Sequence, residues 1–250
     1  MTAFDIDFYC GSKNTLIADI TDASQKPYSY IVTPNVNHIV QLEHDQELRR
    51  AYASASHRVC DSRVLHPLLK ALKVRVEEAI PGSSLTAELM DLANQRAWSV
   101  SVIGCEAEDI DRLRQRYPAI RWFHHNPPQG FIDDEQAVAA CVAFIAAHPA
   151  QLNLLSVGCP RQEKLALRVF ESKQALGVGL CVGGSLNFLS GRVRRAPAWV
   201  QRLSLEWLHR VCMEPRRLSG RYLRDGLRVL PIVFKQFRHK PSLHLGGTQQ

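Results

Sequence analysis

The sequence predicts an α/β protein: a Rossmann-like body on a mostly parallel sheet, followed by a basic helical appendage at the C-terminus. The first observation is that short β-rich segments alternate with helical patterns through residues 1–191. Such alternation indicates βαβ crossovers, which build parallel sheets. The second observation is that the alternation stops at residue 192, where arginine becomes frequent. Residues 192–250 hold thirteen Lys/Arg against three Asp/Glu.

Strand-like composition recurs along the body. The segments are rich in β-branched, aromatic and leucine residues, which fit a pleated and buried surface. No further segment of this kind follows Gly191. In chain order the predicted strands are Tyr28–Thr33, Arg58–Cys60, Trp98–Gly104, Ile120–His124, Leu152–Gly158 and Leu176–Val182.

Helical patterns fill the intervals between these strands. Asp133–His148 begins with acidic residues, which the positive end of a helix dipole favours. Ser83–Ala97 opens on two serines, residues that suit a helix N-terminus. In chain order the predicted helices are Asn37–Ala55, Val64–Lys73, Ser83–Ala97, Ala107–Tyr117, Asp133–His148 and Arg161–Gln174.

The appendage has a different pattern, with two predicted helices, Ala198–Cys212 and Arg216–Arg238. Leucine and aromatic residues alternate there with arginine, as in helices that lie on a membrane surface. The alternative is a pair of helices packed on the body with solvated arginines, and the two interpretations are compatible. We therefore expect a body at 1–191, an appendage at 192–240 and a disordered tail at 241–250.

Composition narrows the class of protein. The seven cysteines form no CxxC pair, which favours reduced cytosolic thiols over a disulfide framework or a zinc site. The N-terminus lacks the pattern of a signal peptide, and the longest uncharged run, Gln174–Gly191, is too rich in glycine for a membrane span. The positive appendage favours an anionic partner, which leaves nucleic acid, a membrane surface or a phosphorylated ligand open.

Polar and glycine residues follow the predicted strands, at the edge where parallel sheets bind ligands. Thr33 and Asn35 end the first strand in TPNVNH, which would also serve as a turn and a cap. Asp61 follows the second strand, either as a helix cap or as a general base. Gly104 follows the third strand. The segment GCPRQEK, with Gly158, Gln162 and Glu163, opens a helix whose free N–H groups suit a phosphate.

Other nucleotide and metal signatures are absent from the sequence. Neither a Walker motif nor GxGxxG occurs. The two DxD sequences, at Asp5–Asp7 and Asp109–Asp111, are interpreted as structural, and the histidines lack the spacing of metal ligands. We therefore expect no metal and no cofactor.

Taken together, the motifs resemble one family. TPNVNH, Asp61 after a strand, GCPRQE, GGSLNFLSGRVRRAP and EWLHRVCMEPRRLSGRY occur in the order found in the WecG/TagA/CpsF family, glycosyltransferase family 26. The resemblance implies an inverting, metal-independent transfer of a sugar from a UDP-sugar to a polyprenyl-diphosphate-linked sugar. It places the enzyme peripherally on the cytoplasmic face of the plasma membrane, in cell-surface polysaccharide biosynthesis. The donor sugar, of N-acetylmannosamine type or another hexose, is left open.

The resemblance also assigns roles to residues. Asp61 matches the proposed catalytic base, with Thr33 and Asn35 in the same pocket. Appendage arginines are expected to reach the diphosphate. The implied substrate-binding residues are Gly104, Gly158, Gln162, Glu163, Gly184, Asn187, Arg195, Arg210, Arg217 and Arg221.

The chain departs from the family pattern at three positions. Ser62 follows Asp61 where glycine is common, Asn187 stands where many members have aspartate, and Gly220 replaces an arginine. These changes leave a catalytically altered nucleotide-sugar-binding protein as an alternative. A nucleic-acid-binding protein is a second alternative, although the sequence carries no RNP, KH or helix-turn-helix signature. A homo-oligomer also stays open.

Overall fold

The structure, a computed structural model, describes residues 2–197, 199–200, 205–213 and 215–238. Its centre is a six-stranded sheet in the order β4-β3-β8-β7-β5-β6, and all of its pairings are parallel. A two-stranded antiparallel hairpin, β1–β2, precedes it. The strands are β1 Thr2–Ala3, β2 Ile6–Asp7, β3 Ser29–Val32, β4 His57–Arg58, β5 Ser99–Ile103, β6 Arg121–His125, β7 Leu152–Leu155 and β8 Val178–Cys181.

Helices connect these strands, which confirms the predicted α/β class. A 3-10 turn, Phe131–Asp133, comes just before the helix Glu135–Ala147. The helices are α1 Lys13–Ala23, α2 Val36–Leu42, α3 Gln46–Ser54, α4 Leu65–Ala71, α5 Gly82–Gln95, α6 Ala107–Arg116, α7 Glu135–Ala147, α8 Arg161–Ser172, α9 Ser185–Leu189, α10 Glu206–Met213 and α11 Pro215–Arg238.

Two features of the body differ from the sequence-based expectation. The predicted helix Asn37–Ala55 is divided into α2 and α3, because the Asp45 carboxylate accepts the Leu48 N–H at 2.9 Å and so starts a new helix. The GGSLNFLSG segment, where no helix was predicted, contains the short helix α9. In the appendage, residues 198 and 201–204 of the predicted helix Ala198–Cys212, and the tail 241–250, lie outside the described residues.

The core has two layers, one on each face of the sheet. Tyr30 and Val32 of β3 face one layer, which includes Leu48 of α3 and Leu165 of α8. Ile31, between them, faces the other layer, which includes residues of α1, α5 and α6. Because successive side chains of a strand point to opposite faces, this arrangement requires apolar residues at every position. Helices therefore cover both faces, and the strand ends are left as the open edge.

The appendage helix α11 presents three faces. Val229, Ile232 and Val233 pack against the body next to α2, and the Gln236 Oε1 accepts the Phe4 N–H at 3.2 Å. A second face exposes large apolar side chains to solvent. A third carries Arg224, Arg228, Lys235 and Arg238. The exposed apolar residues of the second face are Leu223, Leu227, Leu230, Phe234 and Phe237.

No helix within the described ranges is both long enough and apolar enough to cross a membrane.

Candidate active site

The exits of β3 and β4 bring Thr33 and Asp61 together. Thr33 is buried, and its hydroxyl donates to the Cys181 carbonyl of β8 at 3.2 Å. The Asp61 N–H donates to the Pro34 carbonyl at 3.1 Å, which ties the two exits to each other. A β-carbon added at Gly82 would lie 3.5 Å from both Thr33 Oγ1 and Asp61 Oδ1. The two predicted site residues therefore meet at Gly82, the first residue of α5.

Asp61 faces a helix N-terminus. Its Oδ1 accepts a short hydrogen bond from the Gly82 N–H. Free N–H groups and the helix dipole both stabilise negative charge at such a position. At the start of α4, the helix that follows, Ser62 Oγ accepts the N–H groups of Val64 and Leu65 at 3.2 and 3.1 Å. The half-buried Asp61 carboxylate thus lies against the N-terminus of α5 at the edge of the sheet.

Arg195 brings positive charge to the same end of α5. Its Nη2 donates to Ser84 Oγ at 3.1 Å, in the first turn of the helix. Its Nε lies 3.6 Å from a carboxylate oxygen of Glu206. Arg195 and Asp61 therefore both contact the first turn of α5. Gly82 and Ser84 were not predicted as site residues, although the PGSS segment is a turn signal in front of a helical pattern.

Asn35 caps α2. Its side-chain Oδ1 accepts the Asn37 N–H at 3.0 Å, so the cap interpretation of TPNVNH is realised. Asn35 remains half-buried at the exit of β3, one residue beyond Pro34. Its role in a substrate pocket stays a prediction.

The turns after β7 and β8 are joined through Gln162. The Gln162 N–H donates to the Gly158 carbonyl at 3.0 Å, within the turn that opens α8. Its side-chain Oε1 accepts the Gly183 N–H at 2.9 Å. Ser156, just after β7, donates its hydroxyl to the Gly183 carbonyl at 2.7 Å. Both the N–H and the carbonyl of Gly183 are therefore held by residues that follow the neighbouring strand, β7.

Glu163 lies beneath this junction and has no exposed surface, while Gln162 is 2% exposed. The Gln162 Nε2 donates to Glu163 Oε1 at 2.8 Å. Burial raises the pKa of Glu163 from 4.5 to about 7, against the lowering effect of the hydrogen bond from Gln162. A charged side chain in a motif is normally expected at the surface, so the local pattern did not predict the burial of Glu163.

Gly104 and α9 complete the edge of the crevice. Gly104 has φ +87°, and a β-carbon there would lie 2.8 Å from Val157 Cγ1, so only glycine fits beside the β7 exit. Gly184 is exposed and starts α9. Asn187 Oδ1 lies 3.8 Å from Cys105 Sγ, in the turn after β5. Three of the predicted binding residues are thus brought to one rim.

The segment that leads into the appendage is anchored by Asp109. This carboxylate is buried, and it accepts from Ser190 Oγ at 2.8 Å and from Arg192 Nη1 at 2.9 Å. Within the described residues Asp109 thus has a structural role.

A cavity of about 290 Å³ lies between α9 and α10. It is lined by Phe188, Arg192, Val193, Arg194, Glu206 and His209.

The remaining predicted residues are in the appendage. Arg210 belongs to α10, and Arg217 and Arg221 belong to α11. Their side chains lie outside the described residues. Their contact with a diphosphate stays a prediction.

All of these candidate residues lie within a match to a known protein family. The model of the family described as "Glycosyl transferase WecG/TagA/CpsF family" matches residues 1–242. The chain belongs to this family. Membership confirms the resemblance noted in the motifs and the expected class, a glycosyltransferase of cell-surface polysaccharide biosynthesis.

Relatives with assigned activities are similar over most of the chain. Two are from Staphylococcus aureus, strains MW2 and NCTC 8325 / PS 47. Both are N-acetylglucosaminyldiphosphoundecaprenol N-acetyl-beta-D-mannosaminyltransferases. Each is 29% identical over 197 residues, which cover 76% of this chain and 74% of the relative.

Proposed function

We propose that the protein transfers a sugar of N-acetylmannosamine type, or a related hexose, from a UDP-sugar to a polyprenyl-diphosphate-linked sugar. The transfer inverts the anomeric centre and uses no metal. The names of the relatives support both the diphosphate-linked lipid acceptor and the class of sugar. The observation that carries the proposal is the Asp61 carboxylate at the N-terminus of α5, with Thr33 and Arg195 beside it.

Asp61 acts as the general base. The acceptor hydroxyl gives its proton to the Asp61 carboxylate as the acceptor oxygen attacks the anomeric carbon. The bond from that carbon to the β-phosphate oxygen breaks, and UDP leaves. The hydrogen bond from Gly82 fixes the direction of the carboxylate, so that it meets the hydroxyl without reorganising.

The departing UDP gains negative charge on its β-phosphate. Arginine forks and free N–H groups at helix N-termini are the groups that suit phosphate oxygens. Arg195 offers such a fork at the N-terminus of α5, and the Gly158–Gln162 turn offers the N-terminus of α8. We expect Arg210, Arg217 and Arg221 to supply further contacts to a diphosphate.

The appendage binds the cytoplasmic face of the membrane, where the lipid acceptor lies. The three faces of α11 support this: one is docked on the body, one is apolar and exposed, and one is basic. An apolar stripe beside positive charge suits an anionic bilayer, where each Lys or Arg near the surface contributes about 1 kcal/mol. We also propose that the body and the appendage are two distinct parts of the chain, with the boundary near residue 191.

Release of UDP tests the proposal. Wild-type protein is mixed with UDP-sugars and a polyprenyl-diphosphate-linked N-acetylglucosamine, and UDP is measured. Asp61→Asn should lower turnover by about 10²- to 10⁴-fold while UDP binding is retained, because the amide cannot take the proton. Asp111→Asn, on the exposed side of α6, is the matched control and should keep full activity.

Two outcomes would reject parts of the proposal. Wild-type turnover in Asp61→Asn would remove Asp61 from the role of base. UDP binding without UDP release from any donor would instead favour the catalytically altered alternative.

A further inference from the structure

The side-chain amide of Gln162 has only one orientation that satisfies both of its partners. The Gly183 N–H can only donate, so it must face the amide oxygen, Oε1, at 2.9 Å. The ionised Glu163 carboxylate can only accept, so it must face the amide nitrogen, Nε2, at 2.8 Å. A rotation of the amide by half a turn would place two donors against each other at Gly183.

The Gly183 peptide lies at the centre of the crevice edge. It lies two residues beyond the end of β8, has φ +51° and precedes Gly184, which starts α9. Its carbonyl is already held by Ser156. The orientation of the Gln162 amide therefore decides whether its N–H is held as well.

We propose that Glu163 is a positioning residue: its carboxylate sets the orientation of the Gln162 amide, and this amide holds the Gly183 peptide at the edge of the active site. Glu163 does so without contacting substrate, since it has no exposed surface. The proposal deepens the sugar transfer proposed above and rests on it for its catalytic readout.

The charge state of Glu163 controls the strength of this arrangement. A hydrogen bond to a carboxylate is roughly twice as strong as one between neutral groups. A protonated Glu163 can also donate to Gln162, and the second amide orientation then becomes available. Because burial raises the pKa of Glu163 to about 7, the change of state falls near neutral pH.

Other titratable groups face Glu163 from each neighbouring element. His38 comes from α2, Tyr52 from α3, Cys159 from the turn before α8 and Cys181 from β8. Burial, followed by the negative charge of Glu163, raises the pKa of both thiols well above 9. Both cysteines are therefore protonated in the range where Glu163 titrates.

The same cluster could be considered as a metal site. The ligand atoms of His38, Cys159 and Glu163 lie within 4.8 Å of one another, and Glu163 Oε2 has no hydrogen-bond partner of standard geometry among the described residues. However, His38 Nδ1 already lies 2.8 Å from the Tyr52 hydroxyl. The raised pKa of the Cys159 thiol also favours a neutral donor rather than a thiolate ligand. We interpret the cluster as a hydrogen-bonded network around Glu163.

Hydrogen exchange tests the positioning role without reference to activity. The exchange rate of the Gly183 amide is measured in the wild type, in E163Q and E163L, and in the control E171Q, an exposed glutamate of the same helix. We expect exchange at Gly183 to be faster by about 10-fold in E163L, which leaves Gln162 without its acceptor, and unchanged in E171Q. Unchanged exchange in both E163L and E163Q overturns the proposal, whatever the enzyme transfers.

The pH profile of kcat/KM separates positioning from a merely structural role. Between about pH 5.5 and 8.5 the wild type should lose activity on the acidic side with an apparent pKa near 7. E163Q keeps an acceptor for Gln162 but has no charge to titrate, so it should lose this limb. E163L should lower kcat/KM by about 10²-fold through misplacement of the crevice edge.

Two results in this second experiment count against the inference alone. An acidic limb retained in E163Q overturns it, and so does a stoichiometric divalent metal in the purified wild type that E163Q lacks. Absence of UDP release in the wild type would reject sugar transfer instead, and the exchange rates would still decide the role of Glu163.

Discussion

Replacement of Glu163 by Gln should change how the free energy of unfolding depends on pH. The side chain has no exposed surface, and burial raises its pKa from 4.5 to about 7. In an unfolded chain the same group titrates near its ordinary value. At a pH between these two pKa values, the folded protein binds a proton at Glu163 that the unfolded chain does not bind. Stability contributed by this group is therefore fully present below about pH 4.5 and is lost as pH rises through about 7.

The magnitude follows from the two pKa values. A shift of one unit corresponds to about 1.4 kcal/mol, so a shift from 4.5 to about 7 corresponds to about 3 kcal/mol. This is the cost of burying the carboxylate in its charged form. Glutamine does not ionise, so E163Q avoids the loss.

Denaturant unfolding at about pH 5 and about pH 8 measures the difference. From the lower to the higher pH, the wild type should lose about 2 to 3 kcal/mol relative to E163Q, somewhat less than the full shift because pH 5 already lies above the unfolded pKa of 4.5. Histidines with a lowered pKa, such as His57 and His125, push stability in the opposite direction. These histidines are present in both proteins, so their contributions to the free energy of unfolding cancel in the comparison. E171Q, which changes an exposed glutamate of the same helix, should follow the wild type.

One result would refute this reasoning. If E163Q and the wild type change in parallel between the two pH values, Glu163 does not titrate with a raised pKa in the folded protein.

Two further predictions concern the appendage and the leaving group. Serine at Leu230 and Phe234 should weaken binding to vesicles with anionic lipid by about 10-fold or more, because these exposed apolar side chains enter the bilayer. Serine at Leu176, an exposed leucine of the body, is the control. Equal sedimentation of all variants with vesicles would contradict membrane binding by α11. Arg195→Lys should lower turnover by about 10-fold because a lysine lacks the planar fork, whereas Arg194→Gln should not. Steady-state kinetics with protein of unchanged melting temperature measures this, and an active Arg195→Lys variant would move the diphosphate contact elsewhere.

The sheet and the position of the site could be predicted from local patterns. Runs such as Leu152–Leu155 and Val178–Cys181 are buried at every position and contain a single polar side chain, Asn153, as expected for strands covered on both faces. Once the sheet is parallel, Thr33 and Asp61 must lie at the same edge. The structure places both there.

The rest depends on contacts between distant parts of the chain. The helix breaks before α3 because Asp45 caps a new helix instead of lying on the surface of a longer one. Hydrophobic periodicity alone does not distinguish these two cases. The bond from Gly82 to Asp61 spans 21 residues and has no local signature. The burial of Glu163 is the hardest to foresee, because it follows from the packing of α2 and α3 over α8.

The strand order also has a consequence for how the active site is assembled. In the described sheet, β4-β3 and β7-β5-β6 are joined only through β8, the last strand to be synthesised. Thr33 and Asp61 belong to the first group, whereas Gly158 and Gln162 follow β7 in the second. Each group also forms a hydrogen bond with β8 or with the residues just after it. Thr33 donates to the Cys181 carbonyl, and Gln162 accepts from the Gly183 N–H.

Without β8, these two groups of strands have no pairing with each other in the described sheet, although α3 and α8 pack together. Insertion of a central strand between them closes long loops, which slows folding. We therefore expect the candidate site to be completed in the step that completes the sheet, because Asp61 and Gln162 reach one crevice only when β8 lies between β3 and β7.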